Sequence, residues 1–123
     1  MKVREAMSVA LLTAARTTTI AEVASQMAQR RVGSAVVVEG GRLRGIFTER
    51  DIVKALSQDA TAISQAIEHW MTPNPRTISP DAPLEEALEQ MVRGQFRHLP
   101  VVEGDQLLGM LSMRDVSRMS VAE

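Results

Sequence analysis

The stretch Val37-Val38-Glu39-Gly40 decides the fold, because it returns 64 residues later as Val101-Val102-Glu103-Gly104. The likeness extends outward on both sides. Shifting the chain by 64 residues places Val3–Asp59 on Ile67–Glu123 without a gap, and 13 of the 57 pairs are identical. Ordinary residue usage would give about four. The sequence therefore predicts two copies of one unit, and since a unit of about 60 residues buries too little surface alone, the copies should share a core.

The first copy has a local pattern of helix, strand, strand, helix. Thr19-Ile20-Ala21-Glu22 is a capping box, and the apolar residues that follow fall on one helical face. Ala35–Val38 and Leu43–Phe47 are short apolar runs on either side of Gly40-Gly41, a pair typical of tight hairpin turns. A second helix is predicted to begin near Thr48.

The second copy repeats this pattern. Pro83 marks the start of its first helix, and Gly94 is the predicted C-terminal cap. Leu99–Val102 and Leu107–Leu111 are the predicted strands, joined at Gly104-Asp105. The last helix is predicted to begin near Ser112. Each copy also has a predicted short lead-in strand, near Leu12-Thr13 in the first and near Thr77-Ile78 in the second.

The pattern predicts an α/β (α+β) fold made of duplicated β-α-β-β-α units. The expected domains are residues 1–60 and 61–123 within one module. The polar stretch Ser57–Ser64 is the predicted linker, part of which has helical character.

Composition excludes several functions. The net charge is −1, without the basic stripe or interleaved aromatic residues of a nucleic-acid binder. No apolar run is long enough to span a bilayer, and the N-terminus lacks a signal-peptide core, so we expect a cytoplasmic protein that does not use a membrane. There is no cysteine, and His69 and His98 are the only histidines, which argues against a zinc centre or a catalytic triad. We expect no enzyme and no obligatory cofactor.

Each copy carries the same short motif: Gly, two apolar residues, Ser or Thr, two residues, Asp. It reads Gly45-Ile46-Phe47-Thr48-Glu49-Arg50-Asp51 and Gly109-Met110-Leu111-Ser112-Met113-Arg114-Asp115. With Trp70-Met71-Thr72-Pro73 and Phe96-Arg97-His98-Leu99-Pro100-Val101-Val102, the motif resembles that of the tandem CBS-domain pair, over essentially the whole chain.

The resemblance implies a regulatory module. Members of the family pack two units about a pseudo-twofold axis and leave two clefts for adenosyl compounds such as AMP, ADP, ATP or S-adenosylmethionine. Pairs commonly form homodimers, and occupancy changes the behaviour of a regulated partner protein. A ligand-free structural or dimerisation module is the alternative.

Under this resemblance, Asp51 and Asp115 would accept hydrogen bonds from the two ribose hydroxyls, since a carboxylate can take both. Thr48 and Ser112 would assist at a helix start that favours anions. The same spacing is that of a capping box, with Asp in place of Glu. Capping and ligand binding therefore both remain open.

The two copies differ in their basic residues. Arg97 and His98 stand where the family often faces phosphates, although a solvated loop explains them too. The first copy has Gly33-Ser34 at this position. Its cleft is therefore expected to be empty or to prefer a less charged ligand, with Ser34 as a remaining hydrogen-bonding group.

The other candidates lie near the predicted lead-in strands and second helices. In the family the lead-in strands offer backbone groups and an apolar wall to adenine, but packing explains these residues equally well. Arg114 would reach phosphate or pair with a surface acid. The complete candidate set is Thr13, Ser34, Thr48, Asp51, Thr77, Ile78, Arg97, His98, Pro100, Ser112, Arg114 and Asp115.

Overall fold

The structure, a computed structural model, describes residues 1–122, with side chains up to Met119. It divides into two compact units. The first is Leu12–Pro75, and the second joins Met1–Leu11 to the residues from Arg76 onward. The predicted domains 1–60 and 61–123 follow the repeat and stay a prediction, whereas the compact units assign the first 11 residues to the second copy's side of the division.

The first unit is a four-stranded sheet with two helices. Its strands lie in the order β1-β2-β3-β4, with β1 parallel to β2 and the other neighbours antiparallel. The elements are β1 (Thr13–Ala14), α1 (Ile20–Arg30), β2 (Ser34–Glu39), β3 (Arg42–Thr48), α2 (Glu49–Gln58) and β4 (Thr72–Pro73). The turn between β2 and β3 has positive φ at both Gly40 and Gly41, the backbone that a two-residue hairpin requires.

The second unit has the same hairpin and two helices, but the strands that flank its hairpin are reduced to isolated bridges. Its elements are α3 (Leu84–Gly94), β5 (His98–Glu103), β6 (Gln106–Ser112) and α4 (Met113–Ala122). β5 and β6 pair antiparallel, and Ile78 forms a single parallel bridge to Val101 where the first unit has β1. The predicted β-α-β-β-α order is thus present in both copies, with the second lead-in strand reduced to one bridge.

The leading segment of each repeat packs in the unit built from the other repeat. We call Met1–Leu11 leader 1 and Ala66–Pro73 leader 2. Val3 of leader 1 is fully buried in the core of the second unit, and Ile67 of leader 2 is fully buried in the core of the first. Leader 1 also forms a pair of 2.9 Å backbone hydrogen bonds between Ser8 and Met110 on β6. The local sequence patterns did not predict this exchange.

The glycine of each motif admits the leader that crosses it. A Cβ at Gly45 would lie 2.6 Å from Met71 Sδ and 2.9 Å from the Thr72 carbonyl oxygen. A Cβ at Gly109 would lie 2.7 Å from the carbonyl oxygen of Ser8. Both glycines are therefore required by a close backbone approach.

The helix caps confirm the predicted start of α1 and correct the predicted end of α3. Thr19 is the N-cap of α1, and its side chain accepts a hydrogen bond from the Glu22 amide at 3.2 Å. The predicted cap at Gly94 is wrong: Gly94 is the last residue of α3, and Gln95 is the C-cap in the left-handed conformation, with φ 58°. Arg31 has the same conformation after α1. The left-handed C-cap thus falls at the same position of the repeat in both copies, although neither residue is glycine.

The linker is ordered and partly helical. α2 continues to Gln58, and residues 60–64 form a 3-10 helix. Asp59 accepts hydrogen bonds from the amide and hydroxyl of Thr61 and from the Gln65 side chain at 3.0 Å. Gln65 in turn accepts the indole N–H of Trp70 at 2.9 Å. This chain of hydrogen bonds connects the linker to leader 2 within the first unit.

Candidate functional site

The hairpin register brings candidate residues together at one edge of each unit. We call this place the helix-start edge, where the first hairpin strand begins and the second strand runs into its helix. In the first copy Ser34 lies opposite Thr48. In the second copy His98 lies opposite Ser112. The last residue of the second strand, Thr48 or Ser112, therefore lies beside the first residue of the first strand.

The first copy's helix-start edge is built around Asp51. The Thr48 amide donates to Asp51 Oδ2 at 2.9 Å, and the Thr48 hydroxyl lies 3.3 Å from the same oxygen. The Glu49 amide donates to the Gly33 carbonyl at 3.1 Å, which ties the loop before β2 to the start of α2. Burial raises the pKa of Asp51 above its usual value, although the hydrogen bonds from Thr48 act in the opposite direction.

The second copy's helix-start edge has a complete reciprocal cap. The Ser112 amide donates to Asp115 Oδ2 at 2.8 Å, and the Asp115 amide donates to Ser112 Oγ at 3.1 Å. Asp115 is only 6% exposed. Its other oxygen, Oδ1, accepts a hydrogen bond from Arg118 Nη2 at 2.7 Å. Sequence reasoning missed Arg118, although a basic residue three positions after Asp115 on one helix is a signal that an ion-pair search would have found.

The basic candidates lie beside this edge. The Arg97 carbonyl accepts a hydrogen bond from the Met113 amide at 2.8 Å, which fixes the backbone before β5 against the start of α4. The Arg97 side chain is exposed, while His98 is half-buried. Arg114 is exposed in the first turn of α4. Arg97, His98, Ser112 and Asp115 are therefore linked through backbone pairing and the helix cap at the start of α4.

The lead-in candidates divide into exposed and buried residues. Thr13 is exposed on β1, opposite Val36, and Thr77 is exposed just before Ile78. Ile78 is buried, and its amide donates to the Pro100 carbonyl at 3.0 Å. Packing in the second core accounts for Ile78. Thr13 and Thr77 are each exposed at the surface of their own unit.

The geometry establishes the capping interpretation of both carboxylates. Asp51 and Asp115 each accept the amide of the residue three positions earlier. A capped carboxylate still has acceptor capacity, because its two oxygens offer about four lone-pair sites. Ribose binding therefore stays a prediction that is compatible with the cap.

Residues 1–122 contain no group of three or more His, Cys, Asp or Glu side chains arranged to hold a metal ion. Within the same range, no helix is both long enough and apolar enough to cross a bilayer.

The duplicated hairpins, leaders and capped helix starts define the class of protein, a tandem repeat of small α+β units. The CBS domain family model matches residues 3–58 and again residues 65–122. The chain belongs to the CBS domain family and carries two CBS domains in tandem. Both the resemblance drawn from the motifs and the predicted α+β fold are thereby confirmed.

Solved structures of CBS pairs share this fold. The CBS domain pair of protein MJ0100, in complex with 5′-methylthioadenosine and S-adenosyl-L-methionine, has a TM-score of 0.91 at 28% identity, covering 99% of this chain and 97% of that one. The CBS domain protein PAE2072 of Pyrobaculum aerophilum, complexed with AMP, has a TM-score of 0.86 at 29% identity, covering 99% and 98%.

Curated relatives are longer than this chain. A 17.7 kDa protein of Acidianus ambivalens is 40% identical over 102 residues, which cover 81% of this chain and 61% of the relative. A CBS domain-containing protein of Arabidopsis thaliana is 38% identical over 83% of this chain, which spans only 19% of that protein. The module therefore occurs both in small proteins and as a part of larger ones.

Proposed function

We propose that this chain is a non-catalytic regulatory module that binds an adenosyl compound, AMP, ADP or ATP or S-adenosylmethionine, at its helix-start edges. The observation that carries the proposal is the convergence of Asp115, Ser112 and His98 beside the anchored backbone of Arg97. A diol acceptor and phosphate-binding groups thus lie within one short stretch of the second copy. Related CBS pairs complexed with AMP and with S-adenosyl-L-methionine support this ligand class.

Each residue has a defined part in the proposal. Asp115 accepts the two ribose hydroxyls, and Ser112 supplies a further hydrogen bond while it caps α4. Arg97 presents a planar fork that suits phosphate, and the His98 imidazole contributes a second hydrogen-bonding group. Arg114, exposed one position before Asp115, is a further phosphate contact.

The first copy is proposed to take a less charged ligand. Asp51 and Thr48 keep the same cap, and Ser34 is 8% exposed opposite Thr48. Gly33 and Ser34 occupy the position of the basic pair, so this edge has no counterpart of Arg97 and His98, although Arg50 stands where the second copy has Arg114. A nucleoside or S-adenosyl compound fits this edge better than a nucleoside triphosphate.

The adenine is proposed to lie against the lead-in residues. Thr13 and Thr77 are exposed and offer their hydroxyl groups in their copies. Ile78 and Pro100 are buried and would lie behind this contact in the second copy, where the Ile78 amide bonds the Pro100 carbonyl.

A ligand-free structural module is the second candidate, and a specific observation favours it. Both motif carboxylates form helix caps, a role that explains their presence without a ligand. An Asn at either position keeps an acceptor oxygen for the cap but loses the charge. This difference separates the two functions experimentally.

The test is calorimetric titration with AMP, ATP, NAD and S-adenosylmethionine on the natural chain, Asp115→Asn and Asp51→Asn. We expect AMP or ATP to bind the natural chain, and Asp115→Asn to weaken that binding about tenfold or more, because charge-assisted hydrogen bonds are roughly twice as strong as neutral ones. The natural chain should also gain about 2.7 kcal/mol of stability at a ligand concentration 100 times the dissociation constant. Absence of binding to all four compounds, with both variants folded, would establish the structural module instead.

The chain is also proposed to form a homodimer that acts on a regulated protein in the cytoplasm, in response to cellular energy state. Large apolar side chains are exposed on two helices, Val53 and Leu56 on α2 and Leu88 and Val92 on α3. A second copy would cover them. Light scattering should give twice the monomer mass at micromolar concentration, and the monomer mass for the double variant Val53→Ser, Leu56→Ser. A monomeric natural chain would refute the dimer.

A further inference from the structure

Asp115 is held by two donors, one at the start of its own helix and one in the second turn of that helix. Oδ2 accepts the Ser112 amide at 2.8 Å, and Oδ1 accepts Arg118 Nη2 at 2.7 Å. The Asp115 side chain is 9% exposed and that of Arg118 is 66% exposed. The cation therefore reaches in from solvent and fixes a carboxylate that the protein otherwise covers. No proposed ligand contact requires this arrangement.

The first copy has a different residue at the equivalent position, Lys54. Within residues 1–122, no ion pair joins Lys54 to Asp51, and Asp51 Oδ2 accepts both of the Thr48 bonds. Burial raises the pKa of Asp51, and the charge of Lys54 opposes this effect only as a smaller contribution. One carboxylate is thus fixed at both oxygens, and the other is held by its cap.

We propose that Arg118 is a positioning residue, which orients the Asp115 carboxylate so that the second copy discriminates the ribose diol more strongly than the first. This inference rests on the proposed function. Each carboxylate oxygen accepts two hydrogen bonds, so the Ser112 amide and Arg118 leave one acceptor site on each oxygen for the two hydroxyls. A carboxylate fixed before binding loses less freedom when the diol arrives. Lysine, a flexible point charge, does not fix an orientation as the planar guanidinium does.

The test exchanges the two natural residues between copies. Arg118→Lys is made in an Asp51→Asn background and Lys54→Arg in an Asp115→Asn background, so that one helix-start edge is observed at a time. Affinities for AMP and for 2′,3′-dideoxy-AMP are measured by calorimetry. By analogy with groups that orient metal ligands, we expect Arg118→Lys to weaken AMP binding about tenfold and to leave the affinity for dideoxy-AMP within about twofold. Lys54→Arg should strengthen AMP alone.

The dideoxy ligand separates positioning from other roles. An equal loss for both ligands would mean that Arg118 contacts phosphate or merely supports α4, and would overturn the proposal. Unchanged AMP affinity in either exchange variant would overturn it too, while leaving adenosyl binding intact. If the natural chain binds no adenosyl compound, both proposals fall together. Arg93→Lys is the matched control, because Arg93 pairs with Glu89 on the exposed face of α3 and should leave both affinities unchanged.

Discussion

The helix-start edges of the two copies share a backbone frame and differ in chemistry. In both, a Thr or Ser amide is capped by an Asp, and the residue after that Thr or Ser bonds the carbonyl before the first hairpin strand. Around this frame the first copy has Gly33, Ser34 and Lys54, whereas the second has Arg97, His98 and Arg118 at the same positions. The two copies thus share what the backbone requires and differ in the side chains around it.

Deleting residues 1–8 should have the largest effect, because it destabilises the second unit and leaves the contacts of the first unit in place. The deletion removes the fully buried Val3 and both Ser8 bonds to Met110, so we expect a loss of about 4 kcal/mol or more in the free energy of unfolding. Hydrogen exchange should report faster exchange at the Met110 amide, with β3 in the first unit still protected.

If the deletion leaves too little folded protein, Val3→Ala serves as the milder variant, with an expected loss of about 2 kcal/mol. Equal loss of protection in both units would contradict the assignment of leader 1 to the second unit.

Alanine at either motif glycine should lower the free energy of unfolding by a similar amount in the two copies. In each case the new Cβ would lie under 3.0 Å from a backbone carbonyl of a leader, Thr72 for Gly45 and Ser8 for Gly109. Overpacking of this kind costs about 1–3 kcal/mol. Chemical denaturation of Gly45→Ala and Gly109→Ala measures it.

Gly40→Ala is the control, since its Cβ would meet nothing within 4 Å and only the positive φ is unfavourable. Its expected loss is about 1 kcal/mol. A smaller loss at either motif glycine than at Gly40 would show that the leaders do not press on β3 and β6 as described.

The smallest expected effect is a pH dependence in the first copy. Because burial raises the pKa of Asp51 in the folded state, the folded chain binds its proton more tightly than the unfolded chain. The contribution of Asp51 to stability is therefore present below its unfolded pKa and is lost as pH rises through its folded pKa. Relative to the natural chain, Asp51→Asn should gain stability from pH 3 to pH 7 in urea denaturation.

Asp59→Asn is the control of opposite sign. The side-chain hydrogen bond from Thr61 is the largest cause that lowers the pKa of Asp59, so its stabilising contribution is present above the unfolded pKa and is lost on acidification. The two differences from the natural chain should run in opposite directions with pH. Parallel trends would contradict the raised pKa of Asp51.

Local sequence patterns predicted the elements of each copy because their signals are local. Helical periodicity, the Gly40-Gly41 turn and the spacing from Thr48 to Asp51 all lie within a few residues of the structure they specify. The fold class and both capped helix starts follow from such signals. The family resemblance then supplied the ligand hypothesis, which the residues alone do not give.

The exchanged leaders could not be predicted in this way, because nothing in a short segment states which sheet it joins. Met7 and Met71 are identical in the two copies, as are Gly45 and Gly109. The 64-residue shift therefore identifies all four residues as repeated. It pairs Met7 with Met71, however, and does not indicate which glycine each Met contacts. Only the three-dimensional structure shows that Met71 lies against Gly45, and Met7 against Gly109.

The exchanged leaders also bear on how such a protein arises. An ancestor of one 64-residue repeat with the same contacts would have placed its leader on a second molecule, because each leader here completes the unit built from the other repeat. Joining two repeats in one chain turns that encounter between molecules into one within a molecule. The effective concentration of the leader then reaches the millimolar range typical of short tethers. Gene fusion alone would have removed the dependence of folding on protein concentration.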